Sequence, residues 1–84
     1  MSTYIIQIDN VHIECDMEYG VSKDIVCKVV GVSHECLDDT IRKIGLEDYV
    51  KVEDNTLYIL TSIFKTGKTP GEVIKEIAML SRFC

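Results

Sequence analysis

The chain is short of positive charge, of proline and of long apolar runs, and each shortage narrows what it can be. Nine lysines and arginines stand against fourteen aspartates and glutamates, a net charge of −5. Affinity for nucleic acid rests on neutralised phosphates, so this balance excludes a surface that is cationic all round and leaves room only for a local basic patch. A single proline and a hydrophobic content of 46% exclude a disordered, proline-rich chain. No apolar run reaches the length of a membrane span, and the opening Met1-Ser2-Thr3-Tyr4-Ile5-Ile6-Gln7-Ile8-Asp9 lacks the basic start and apolar stretch of a secretory signal. The expectation is therefore a cytoplasmic protein with no membrane partner. The closing Ser81-Arg82-Phe83-Cys84 is not a prenylation box, because its cysteine is last instead of fourth from last. There are no repeats, low-complexity segments or linkers, and 84 residues suffice for one modest core, so one domain over 1–84 is expected.

The four cysteines, Cys15, Cys27, Cys36 and Cys84, lack CxxC spacing, and in a reducing compartment they are expected to be free thiols. His12 with Cys15 and His34 with Cys36 have the residue types of a zinc site. If residues 11–15 form a strand, however, His12 and Cys15 point to opposite faces and cannot grip one ion. No metal or other cofactor is expected.

Over residues 4–17 the pattern has a period of two. Tyr4, Ile6 and Ile8 share one face of a first strand, and Val11, Ile13, Cys15 and Met17 share one face of a second, with His12, Glu14, Asp16 and Glu18 on the wet side. Asp9-Asn10 tolerates the positive φ of a tight turn, which makes this an N-terminal hairpin. Tyr19-Gly20-Val21 breaks the alternation. Ser22 is placed to cap a helix carrying Ile25, Val26, Val29 and Val30 at helical spacing, and its β-branched content means that tertiary packing must hold it. Gly31 ends that helix. Ser33 caps the next, whose inward stripe is Leu37, Ile41 and Ile44, and Gly45 stops it. Two alternating runs over 48–60 flank Glu53-Asp54-Asn55-Thr56 as a second hairpin. A last helix over 70–81 packs through Val73, Ile74, Ile77, Ala78 and Leu80, opened by Thr69, Pro70 and Glu72 as a capping box. The fold class is α+β.

The window Lys23–Gly45, KDIVCKVVGVSHECLDDTIRKIG, has the spacing of a helix-turn-helix. Cys27 is the small residue four before the turn, Gly31 allows positive φ, Val32 is an apolar plug, and Leu37 falls five residues beyond it, facing inward. With the hairpin and helix that follow, residues 22–80 resemble the winged helix-turn-helix of the MerR and phage-excisionase superfamily, and the N-terminal hairpin is an addition to that pattern. The resemblance implies a recognition helix presenting His34, Glu35, Asp38, Asp39 and Arg42 to a major groove, and a wing with its tip at Asp54-Asn55. Such a small chain with an extra hairpin suits an accessory protein of a phage or mobile element.

The presenting residues depart from that role. Three of those five are acids, the wing offers Glu53 and Asp54 where members carry bases, and phosphates repel carboxylates. One reading makes these acids a solvated face, paired as Asp38 with Arg42 and Asp39 with Lys43. The other makes Glu35, Asp38, Asp39, Glu53 and Asp54 a docking surface for a basic protein partner or a second copy of the chain, on a non-enzymatic regulatory protein. The alternative is a dimeric DNA-binding regulator or excisionase-like factor contacting DNA through His34, Arg42, Lys43 and Lys51. Ile5 and Gln7, beside His12 and Glu14, form a half-apolar strand face able to seed a dimer.

Two other motifs lead nowhere. Thr66-Gly67-Lys68-Thr69 has the end of a phosphate-binding loop, but Ser62 stands where its first glycine is required. His34 and Cys36 are two residues apart on one helix and cannot face each other as base and nucleophile. Cys36 is expected to pack between the two helices as a small apolar residue, and no catalytic residue is assigned.

Overall fold

The computed structural model describes residues 3–84. Strand β1 (Thr3–Ile8) pairs antiparallel with β2 (Val11–Asp16), with Thr3 opposite Asp16 and Ile8 opposite Val11. Asp9 opens the turn at φ 54°, which a short polar residue tolerates. This register buries Ile6, Ile8 and Cys15 and leaves Ile5, Gln7, His12 and Glu14 exposed, as the alternation predicts.

The break in alternation after residue 18 is more than a loop. Val21–Ser22 forms a short strand, β3, beside β5 (Thr56–Ile59), and β4 (Val50–Glu53) flanks β5 on the other side, giving the order β3-β5-β4. Two residues are too few for a period to show, so the sequence could not announce this strand. The β4–β5 loop is Asp54-Asn55, both at positive φ (49° and 63°), the two-residue geometry whose twist matches that of the flanking strands.

Helix α1 (Lys23–Val30) follows β3 directly. Ser22 occupies its N-cap position with extended backbone, but its side chain makes no capping bond. The Lys23 N–H instead donates to the Asn55 carbonyl at 3.0 Å, so the turn of the second hairpin caps the helix. Val26, Cys27 and Val30 are buried as the spacing requires, whereas Ile25 is exposed. Gly31 ends α1 at φ 84°, and the Gly31 and Val32 amides donate to the Cys27 carbonyl at 2.7 and 3.1 Å. Three residues later α2 (His34–Lys43) begins, with Ser33 Oγ accepting from the Cys36 N–H at 3.1 Å.

The segment between β5 and the last helix, to which the sequence assigns no element, is a 3₁₀ segment over Thr61–Thr66 that buries Ile63. Helix α3 (Pro70–Ser81) has the predicted bounds, and Thr69 Oγ1 accepts from the Glu72 N–H at 3.3 Å. Its inward face includes Ser81, whose hydroxyl donates to the Ala78 carbonyl at 2.7 Å, while Leu80 is exposed, against expectation. The α3 stripe turns through Ile77, Ala78 and Ser81, which puts position 80 on the outside. Helix α3 crosses β1 so closely that a Cβ on Gly71 would stand 2.5 Å from the Ile5 carbonyl oxygen. Arg82 then binds the Asp9 carboxylate at 2.6 Å and ties the end of α3 to the first hairpin's turn. One core joins these elements: Ile6 and Ile8, Val26, Leu37, Leu57, Ile63, Ile74 and Ile77.

Cys36 and Cys84 are joined by a disulfide, contrary to the expectation of four free thiols and of Cys36 packed between α1 and α2. Packing of α3 against α2 brings these residues, 48 apart in sequence, to a Cα–Cα distance of 5.6 Å, a proximity that sequence spacing cannot reveal.

Candidate interaction face

The face that the sequence singles out is built from α2 and the β4–β5 hairpin. Residues 34–58 carry seven acids against three bases, so this segment supplies most of the net charge. What matters is which of these charges are already engaged.

Asp38 is not paired with Arg42. Its carboxylate is held by Lys23 on α1, with Nζ 2.8 and 2.9 Å from the two oxygens, and Lys23 is only 6% exposed. Lys23 shares the helix stripe of Val26, Cys27 and Val30, so its stem lies along apolar surface and its ammonium needs a partner at the rim. Asp38 is that partner, and it serves the junction of the two helices more than the surface. Arg42 is engaged by Asp39, one helical turn away, in place of the predicted pairs Asp38 with Arg42 and Asp39 with Lys43.

Asp24, in the first turn of α1, joins three elements. One of its oxygens lies 2.7 Å from His34 Nε2 at the start of α2, and the other accepts from Asn55 Nδ2 at 2.8 Å at the hairpin tip. Sequence reasoning assigned His34 to a binding surface and did not foresee Asp24 as its partner. The link depends on the β4–β5 tip folding back onto α1. Lys51 lies 2.5 Å from Glu53 on the same face of β4, and this hydrogen bond holds its ammonium pKa above the usual lysine value.

Among the residues expected to contact DNA, His34, Arg42 and Lys51 are thus each in contact with a carboxylate of this chain, and Lys43 alone makes no ion pair among the described residues. Of the expected docking acids, Asp38, Asp39 and Glu53 are engaged by Lys23, Arg42 and Lys51, while Glu35 and Asp54 are exposed and carry no cation among the described residues. Glu47 and Asp48, also exposed and without a cation among the described residues, were not in the expected docking set. The tertiary path of the α2–β4 connection sets Glu47 beside α2.

Between α2 and β4 runs an open groove of about 230 Å³ lined by Asp38, Ile41, Arg42, Glu47, Val50 and Val52. Its floor is apolar and its rim is acidic, apart from the engaged Arg42. The remaining thiols are remote from chemistry: Cys15 and Cys27 are buried, and burial raises both thiol pKa values, which disfavours the thiolate. Among the described residues no three His, Cys, Asp or Glu side chains converge as a metal-binding group, and no helix is long and apolar enough to cross a membrane. The chain matches no protein-family model, no curated protein and no solved structure.

Proposed function

We propose that this is a non-enzymatic interaction domain, built on a winged helix-turn-helix-like arrangement, whose α2 and β4–β5 face docks a basic surface of a protein partner. One observation carries the reading. The side chains of His34, Arg42 and Lys51 are each bound to a carboxylate of the chain itself, leaving Glu35, Glu47, Asp48 and Asp54 without a cation among the described residues. A duplex approaching this face meets net negative charge, with Arg42 and Lys51 already engaged and Lys43 the one cation of the expected contact set outside an ion pair among the described residues, whereas a basic protein surface meets complementary charge. A second copy docked through the same face would set acid against acid, so self-association belongs to the exposed strand face around Ile5.

The test is a pair of titrations in near-physiological salt, one with a mixed-sequence DNA duplex and one with a lysine-rich peptide. The peptide is expected to bind, more weakly in an Asp39→Lys/Asp54→Lys variant and unchanged in a Glu14→Lys/Glu18→Lys variant that reverses acids of the first hairpin. Tight duplex binding that Arg42→Ala and Lys43→Ala abolish would overturn the reading in favour of a DNA-binding regulator. Asp38 is left intact in these variants because of its bond to Lys23.

A further inference from the structure

β4 has a partner on one side only, since the sheet order β3-β5-β4 leaves it at the edge. Its hydrogen-bonding phase follows from the turn. Glu53 and Thr56 flank a two-residue loop and form a hydrogen-bonded pair, so Lys51–Tyr58 is the next such pair and Tyr49–Leu60 the one after, where the Leu60 N–H donates to the Tyr49 carbonyl at 2.8 Å. Val52 and Val50 therefore aim their backbone groups away from β5. The Val50 N–H is taken by the Leu46 carbonyl at 2.9 Å. The Val50 carbonyl and both backbone groups of Val52 remain, a short edge with donor and acceptor in place.

Side chains alternate with the same phase. Lys51 and Glu53 bind each other on one face, while Val50 and Val52 face α2 and line the groove with Ile41. Val52 is 41% exposed there. Natural edges are commonly shielded by a charge, a bulge or a covering element, and the groove side of this one offers only valines.

We infer that the edge of β4 receives an extended segment of a partner protein as an added strand, with an apolar side chain in the groove between α2 and β4 and a lysine or arginine on either side. The inference rests on the acidic-face reading and narrows it from a charged surface to a strand-addition site. Charge complementarity selects the occupant: Glu47 on the groove rim and Asp54 at the hairpin tip favour a cationic segment, and the apolar floor between them favours a valine- or leucine-sized side chain.

The probe is a blocked heptapeptide alternating lysine and valine, with a control of the same composition plus a central proline, which cannot keep a strand. Binding is followed by amide resonances of the intact chain. The alternating peptide is expected to shift the Val52 amide and slow its exchange, and to bind about tenfold more tightly than the proline control. Val52→Pro removes the outward N–H without touching the β4–β5 ladder and is expected to erase that preference. Glu47→Lys with Asp54→Asn, which keeps at the turn a residue tolerant of its positive φ, is expected to weaken binding about tenfold. Equal binding of both peptides, with shifts confined to Glu35 and Asp39 on α2, would overturn strand addition and leave the acidic docking face standing. No binding of either peptide, with the wild-type fold intact, would overturn both.

Discussion

Reduction of the Cys36–Cys84 disulfide is expected to cost this domain a large share of its stability while leaving its fold in place. The bond closes a loop between residues 48 apart. For a loop of that length the chain-entropy relation gives about 4 kcal/mol at 25 °C, because the reduced unfolded chain regains the conformations that the cross-link forbids. Domains of this size have total stabilities toward the low end of 5–15 kcal/mol, so about 4 kcal/mol lowers the thermal midpoint by on the order of 20 °C. The fold itself should survive, since Cys84 is exposed and the core from Ile6 to Ile77 makes no use of the bond. Thermal unfolding followed by circular dichroism, for the oxidised protein, the reduced protein and Cys84→Ser, measures the effect. The reduced protein and the variant should melt together, well below the oxidised form. Thiol titration in denaturant without reductant should find only Cys15 and Cys27. Four titrating thiols, or a Cys84→Ser variant that melts with the oxidised protein, would refute the reasoning.

Three further outcomes follow from the packing. Asp38→Ala strands the nearly buried Lys23 ammonium and should destabilise by about 2 kcal/mol, discounted from the fully buried case because Asp38 is partly exposed; Lys23→Met in the same chain should recover most of the loss, as urea titration would show. Gly71→Ala, which on helix propensity alone should stabilise by about 1 kcal/mol, should instead destabilise by about 1–3 kcal/mol, because its Cβ meets the Ile5 backbone and not a movable side chain. The hydrogen bond from Arg82 holds the Asp9 carboxyl below the usual carboxylate range, so its contribution is complete above the unfolded value near pH 4 and is lost as pH falls through the lower folded value. Asp9→Asn should remove that part of the acid dependence by lowering the melting temperature at neutral pH while leaving it unchanged at the acid end, as melting profiles at a series of pH values would reveal.

Local chemistry made much of this molecule legible. The hairpin of residues 4–17 was visible because one face is dry and a period of two follows from the pleat. The bounds of α3 were visible because Thr69, Pro70 and Glu72 supply a start signal at fixed offsets. The Gly31 turn was visible because a left-handed residue between two apolar stripes has few alternatives. The same rules went astray where a side chain's partner came from elsewhere in the chain. Helical offsets placed Asp38 against Arg42, and a buried lysine on α1 claimed it. The expectation of a reducing compartment left Cys36 unpaired, and the docking of α3 on α2 supplied Cys84.

The sequence by itself determined the α+β class, the order of the two hairpins and three helices, most of their inward positions and the excess of acid on residues 34–58. These depend on neighbours within four or five positions, and backbone periodicity carries such information directly. Only the tertiary structure decided which charges remain uncompensated, that a two-residue strand completes the second sheet, and that β4 ends at an open edge above an apolar groove. Charges pair with whatever the fold brings within a few ångströms, and that distance bears no relation to separation along the chain.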